Sequence, residues 1–340
     1  MYPDVLCVGE AIVDFHARER RALGEASTFL KTVGGAPTNL AIGLARLGER
    51  VGFVGALGND PFGRFLQRQL EREHVDVNGI VVKRGRRTRL AFIAHDERGE
   101  PEFAFWESLP ADADLTKLDI PLTTLARANI VHISSFLLLS ARQASFALWL
   151  ARRAAETSTL VSFDPNLRLA LWSDRRKARA VLRSMVRHTS IFRGNTTEGA
   201  FVTGRRTPEA SIEALLQMGP QLVVLTDGAR GCYFGTERIR GFVAAFRVRT
   251  VDGTGCGDGF TAALLSGVLR LKCPLSGLTE RQLTSLCRYA NAVGALVATR
   301  AGAAASMPTR AAVDSFLAGR PKSSISSGRG RSERTGKGGA

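Results

Sequence analysis

The chain has 340 residues, 44% of them apolar, and a formal charge of +16. That is an ordinary globular composition, long enough for one large domain or two small ones. No apolar run approaches the roughly 18 residues of a membrane span, and no C-x-x-C, H-x-x-x-H, H-E-x-x-H or G-x-S-x-G occurs. A membrane segment, a zinc site and a hydrolase elbow are therefore set aside.

In chain order the patterning predicts strand 5–8, helix 37–47, strand 51–54, helix 63–73, strand 130–133 and helix 141–156. Strand 160–163, helix 174–187, strand 190–192, helix 208–218, strands 222–225 and 232–234, and helices 258–271 and 280–299 follow. Pro37 and Pro208 suit first-turn positions. The alternation predicts an α/β fold with a mostly parallel central sheet and helices on both faces. Two regions break it. Residues 15–33 are polar and turn-rich, and residues 88–108 alternate apolar and polar around a turn at Asp96-Glu97-Arg98-Gly99. They are expected to form a small antiparallel sheet projecting from the body, a lid if the protein is an enzyme.

One domain is expected over 1–318, then a basic, disordered tail over 319–340. The tail's Arg320, Lys322, Arg329, Arg331, Arg334 and Lys337 face a single acid, Glu333. A solvated terminus is favoured there over nucleic-acid contact. The cysteines (Cys7, Cys232, Cys256, Cys273, Cys287) are odd in number and no signal-like start precedes them. A reducing, cytoplasmic setting is expected.

The most telling stretch is Asp252-Gly253-Thr254-Gly255-Cys256-Gly257-Asp258. It follows an apolar, β-rich run over 246–251 and opens into a helical run over 260–265. A strand, a glycine-rich turn and a helix start form an anion site. The first helical amides have no partner within the helix and carry the positive end of its dipole. Gly255 and Gly257 allow close backbone approach. Asp258 is an acid beside a phosphate site, and the role that fits is to accept the proton of an attacking hydroxyl. The plainer alternative is a helix start with an acidic first turn. Three glycines, two flanking aspartates and a second glycine cluster weigh against it. That cluster is Gly34-Gly35-Ala36-Pro37-Thr38-Asn39, where Asn39 offers a donor and an acceptor to a sugar hydroxyl. It is not a Walker A loop, and no strand-following G-x-G-x-x-G fits a dinucleotide fold.

Further motifs complete the pattern: Gly58-Asn59-Asp60-Pro61-Phe62-Gly63, Asp164-Pro165-Asn166-Leu167-Arg168 with Leu171-Trp172, Asn195-Thr196-Thr197-Glu198, and Thr226-Asp227-Gly228-Ala229-Arg230-Gly231. In this order the chain resembles the ribokinase-like (PfkB) carbohydrate kinases over about residues 4–317, and within them fructokinases most. The resemblance implies ATP and Mg²⁺ as cofactors and a sugar as acceptor. Asp258 would be the base, and the amides of Gly255, Cys256 and Gly257 the anion hole. Asp14, Gly34, Gly35, Asn39 and Arg168 would bind the sugar. Thr226, Gly228, Gly231 and Asn291 would line the ATP site. Asn195 and Glu198 would hold Mg²⁺ with its waters, the alternative for that pair being a helix cap. Asp252, Gly302 and Ser306 match a loop for a monovalent cation such as K⁺. Family lids also imply a homodimer paired through the lid.

Some positions depart from that pattern. Fructokinases often carry Tyr-Arg where this chain has Trp106-Glu107. Ketodeoxygluconate kinases use a similar arginine on an acidic sugar, so its loss argues against an acidic acceptor and blurs fructose as well. Cys256 stands where alanine is commoner, which backbone donors tolerate. Gly259 is expected to loosen the helix start by roughly 0.5–1 kcal/mol relative to Ala. Asp258 is expected to keep an ordinary carboxylate pKa of ~3.9. The expected activity is transfer of the γ-phosphoryl of ATP to a primary hydroxyl of a sugar, fructose first. Ketodeoxygluconate, ribose and nucleosides remain alternative acceptors, and a silent kinase-like interaction protein is the rival of a different class. Neither a membrane nor a nucleic-acid partner is expected.

Overall fold

A computed structural model gives the fold; it describes residues 2–96, 101–106 and 108–319. The chain begins with β1 (Val5–Val8), β2 (Ile12–Arg20), β3 (Phe29–Gly34), α1 (Ala36–Arg46), β4 (Val51–Gly58) and α2 (Pro61–Arg72). Next come β5 (Asp76–Lys83), β6 (Arg89–His95), β7 (Pro101–Trp106), α3 (Leu122–Arg127), β8 (Ile130–Ser134), α4 (Ala141–Glu156) and β9 (Leu160–Asp164). Then follow α5 (Arg175–Val186), β10 (Ile191–Asn195), α6 (Thr196–Thr203), α7 (Pro208–Leu216), β11 (Leu222–Thr226), β12 (Gly231–Gly235) and β13 (Arg240–Ala244). The last described elements are α8 (Cys256–Leu271), α9 (Glu280–Ala298), α10 (Ala303–Ser306) and α11 (Arg310–Ala318).

A nine-stranded sheet has the order β13-β12-β11-β10-β9-β8-β1-β4-β5. From β5 to β11 every neighbour is parallel; β12 and β13 are antiparallel. Strand pleating sends alternate side chains to opposite faces. Val5 and Cys7 join a core with α1, α2, α8 and α9, while Leu6 and Val8 join a second core with α4, α5 and α7. Each fully buried Leu or Phe in these layers contributes about 1.5–3 kcal/mol. After β1 the chain builds outward to β4 and β5, then returns to β8 on the other side. A crevice forms where strand order reverses, at the carboxyl ends of β1 and β8.

The predicted α/β class is what the structure contains, and some details differ. The small sheet, β3-β2-β6-β7, is mixed, because β2 and β6 run parallel while the other pairs are antiparallel. As expected, most of the stretch over 15–33 belongs to the small sheet, as β2 and β3. Residues 246–251 form no strand, since β12 begins at Gly231 opposite Ala244 and offers nothing further to pair with. Gly259 also has a packing reason. It is buried in α8, and a Cβ there would lie 2.9 Å from Val297 Cγ2 of α9. Residues 97–99 of the predicted turn, Glu107 and the tail from 320 lie outside the described residues.

Gly231 joins the end of the β11 turn to β12 at φ +132°, and a Cβ there would lie 2.1 Å from the Val243 carbonyl oxygen. Gly231→Ala is expected to lower unfolding free energy by about 2–3 kcal/mol in denaturant titration; an unchanged midpoint would mean that the turn relaxes freely.

Candidate active site

The tip of α8 starts at Gly255, whose φ of +79° turns the chain into the helix. A Cβ there would sit 2.8 Å from Ala303 Cα, so only glycine fits. Gly257 lies in the first turn, where an amide has no partner four residues back. The Cys256 amide donates to the Gly253 carbonyl at 3.3 Å, so one of the three predicted anion-hole amides is already engaged. The Cys256 thiol is pushed up to about 11 by burial and by Asp252 and Asp258, and stays a neutral thiol.

Asp258 follows in the same turn, half-buried, and lines the pocket beside it. Its Oδ2 accepts from Asn39 Nδ2 at 2.8 Å, which ties α1 to α8. Burial pushes its pKa up to about 7; the Asn39 bond, Arg193 and Arg168 oppose the rise and Asp164 adds to it. The expected ordinary value is thus corrected: a carboxyl surrounded by protein loses hydration that favours its charge. Asn39 Oδ1 is buried with no hydrogen-bond partner among the described residues.

The lid sheet, the β1 end and the α1 start form one wall of a 640 Å³ pocket. Asp14 on β2 is raised to about 7 by burial and then by Asp258, with Arg168 opposing. Gly34 is required beside it, since a Cβ would lie 2.0 Å from Asp14 Oδ2. Gly35 turns into α1 at φ +95°. Glu10, which sequence reasoning passed over, organises this corner. Its Oε1 accepts from the Ala36 amide at 3.2 Å and its Oε2 from Ser134 Oγ at 2.7 Å. Phe105, Ile93 and Ala91 of the lid face the same pocket, whereas Trp106 is 61% exposed on the opposite side.

A second pocket of 620 Å³ lies between β11–β13 and α8–α9. Arg193, Thr226, Gly228, Gly253 and Gly257 line both pockets. Arg193 was also missed, because predicted strand 190–192 stops one residue short of it. Its Nη1 donates to Asp164 Oδ2 at 2.7 Å and its Nη2 to Thr226 Oγ1 at 3.0 Å. Its buried Nε has no partner. Burial works against its charge, and Asp164, Glu198 and Asp258 outweigh that, so its pKa stays above the ordinary value. The available signal was an arginine embedded in an otherwise apolar strand.

Other predicted residues are placed as follows. Asn195 and Glu198 form a reciprocal cap on α6: Asn195 Oδ1 accepts from the Glu198 amide at 2.8 Å, and Glu198 Oε2 from the Asn195 amide at 2.7 Å. Glu198 Oε1 also accepts from the Leu167 amide at 2.7 Å. Burial and Asp164 raise the Glu198 pKa despite these amides. Asn291 reaches the second pocket, but its Nδ2 donates to the Val243 and Ala244 carbonyls. Asp252 accepts from the Thr254 and Gly302 amides at 2.8 and 3.0 Å. Burial would raise its pKa, and these bonds hold it below the ordinary range. Ser306 is buried and donates to Ala303. Arg168 is exposed at the pocket edge.

Residues 3–310 match the family described as "pfkB family carbohydrate kinase". The chain belongs to that family. Among similar proteins, fructokinase-1 of Oryza sativa subsp. japonica is 37% identical over 91% of this chain and 96% of its own. A fructokinase structure with bound ATP from Xylella fastidiosa is 31% identical, with a TM-score of 0.86 over 93% of this chain and 98% of that one. A Vibrio cholerae O395 fructokinase in a form bound to fructose, ADP and calcium ion is 31% identical, with a TM-score of 0.81 over 92% and 98%. This kinase family member thus carries two adjoining pockets with an acid at their border, and no described helix is long and apolar enough to cross a membrane.

Two pH effects follow. Were Asp258 the base, a pKa raised to about 7 would leave it mostly ionised only above that value, and kcat/KM for the sugar would fall as pH drops through 7. A limb at the ordinary carboxylate value of ~3.9 would contradict the burial argument. Asp14, also raised to about 7, favours the fold below the unfolded-chain value of ~3.9, and that contribution is lost as pH rises to 7. Asp14→Asn is expected to raise the melting temperature of the ligand-free protein at pH 8 and to leave it unchanged near pH 3. Equal melting curves at both values would refute the shift.

Proposed function

We propose that this carbohydrate kinase transfers the γ-phosphoryl of ATP to a primary hydroxyl of fructose. One observation carries the reading: two pockets of nucleotide and sugar size share Arg193, Thr226, Gly228, Gly253 and Gly257, and Asp258 stands on one side of that border. ATP would occupy the β11–α9 side, lined by Thr226, Gly228, Gly231 and Asn291. The sugar would lie against Asp14, Gly34, Gly35, Asn39 and Arg168, with Asn39 Oδ1 accepting from a hydroxyl. Asp258 would take the proton of the attacking hydroxyl, and the tip of α8 with Arg193 would face the moving phosphoryl. Lid closure would exclude water that competes for the phosphoryl. The relatives named fructokinase support fructose, and so does the charge of the pocket. Glu10, Asp14, Glu198 and Asp258 outnumber Arg168 and Arg193 there, which suits a neutral sugar better than a sugar acid.

Magnesium would supply charge to the phosphoryl oxygens when bound. Glu198 fits it chemically: it is an oxygen donor on the pocket wall whose pKa is raised by burial and then by Asp164, a cost that a cation relieves. Phosphate and water complete such a shell, so Asn195 and Glu198 suffice as protein partners. Asp252, Gly302 and Ser306 would serve a monovalent cation. The reading includes one kinase domain over 1–318, a reducing cytoplasmic setting for the free cysteines, and a homodimer paired through the lid. The lid exposes Trp106 on its side away from the pocket.

ADP release measured against ketoses, aldoses, sugar acids and nucleosides tests the assignment. Fructose is expected to give the highest kcat/KM; preference for a sugar acid or nucleoside would overturn the acceptor. Asp258→Ala is expected to cut kcat by about 10²–10⁴ while ATP still binds. Near-normal turnover in that variant would remove Asp258 as the base.

A further inference from the structure

The exposed side of α5 carries Arg175, Arg179 and Arg183 at intervals of four, with Arg187 at its C-cap continuing the row and Arg176 beside it. Four residues is just over one turn, so the row runs along one side of the helix for about 18 Å. Like charges at this spacing destabilise a helix. Among the described residues, none of these five pairs with a carboxylate. The nearest acid in sequence, Asp174, is spent capping α5 through the Arg176 and Lys177 amides. The five arginines line a groove of about 510 Å³ against Phe201 of α6, and Arg179 lies over the Phe201 ring at 5.2 Å. Arg183 is pinned across the groove to the Val202 carbonyl at 3.3 Å. Arg152 of α4 adds to the same field: burial, then Arg152 and Arg187, lower the His188 pKa. The groove shares no residue with the two catalytic pockets.

We propose that this groove binds single-stranded nucleic acid. The row is longer than any one small phosphate ester and calls for a linear polyanion. A second copy of the chain is a poor occupant, since each carries a charge of +16. Arginine, with its planar fork, matches phosphate oxygens in pairs in a way lysine does not. The Arg179–Phe201 stack offers a flat surface on which a splayed base can lie, as single-strand sites require. Binding is through phosphates and stacking, so it is insensitive to sequence and sensitive to salt.

The test is fluorescence anisotropy of a labelled 20-nucleotide oligo-dT with the full chain, from 50 to 200 mM salt. Five phosphate contacts predict a slope of log K against log salt of about −3.5. Arg179→Gln/Arg183→Gln is expected to weaken binding about tenfold or more and bring the slope to about −2, with sugar-kinase turnover and melting temperature unchanged. Arg175→Gln/Arg187→Gln should do the same and guards against a packing effect at Arg183. Glutamine at all six tail Lys and Arg positions should leave binding in place. The proposal is overturned if either groove variant binds like the parent, if the tail variant abolishes binding, or if inorganic polyphosphate binds while the oligonucleotide does not.

Discussion

The arrangement depends on one buried carboxyl. Asp258 sits in the first turn of α8, where unpartnered amides favour negative charge, yet protein surrounds it closely enough to raise its pKa to about 7. These two influences oppose each other, and the Asn39 bond settles the geometry by fixing the carboxyl across from α1. The glycines of both helices are the means. Gly43 of α1 lies 3.0 Å, as a Cβ, from Ala262 of α8, and Gly259 lets α8 approach α9. Larger residues at those contacts would separate the helices and with them the donor from the acid.

Around that carboxyl the charges are arranged as a set. Arg193 stands between Asp164, Glu198 and Asp258, with Thr226 on its other arm. A cation with three acids near it is stable when buried.

Much of this was legible in the chain. The strand–helix alternation gave the α/β class because parallel strands buried on both faces leave unbroken apolar runs, as at 222–225. The glycine clusters at 34–35 and 253–257 marked both helix starts, because Gly35 and Gly255 have positive φ angles and Gly34 packs directly against Asp14. What escaped was set by tertiary context. Glu10, between β1 and β2, and Arg193, in β10, look like stray charges until their partners, Ser134 and Asp164, arrive from distant segments. The ordinary pKa expected for Asp258 failed because burial is not written in local sequence. Strand β5 alternates weakly and was passed over, since Asp76, Asn78 and Lys83 give it a polar look. The run over 246–251 has β composition without a partner strand, and composition alone cannot supply one.

The most direct test is a crystal structure of the ternary complex with fructose and a non-hydrolysable ATP analogue. The account predicts the primary hydroxyl oxygen within about 2.6–3.2 Å of an Asp258 carboxylate oxygen, with the γ-phosphate against Gly257 and Arg193. A sugar whose primary hydroxyl points away from Asp258, or a γ-phosphate held elsewhere, would contradict it.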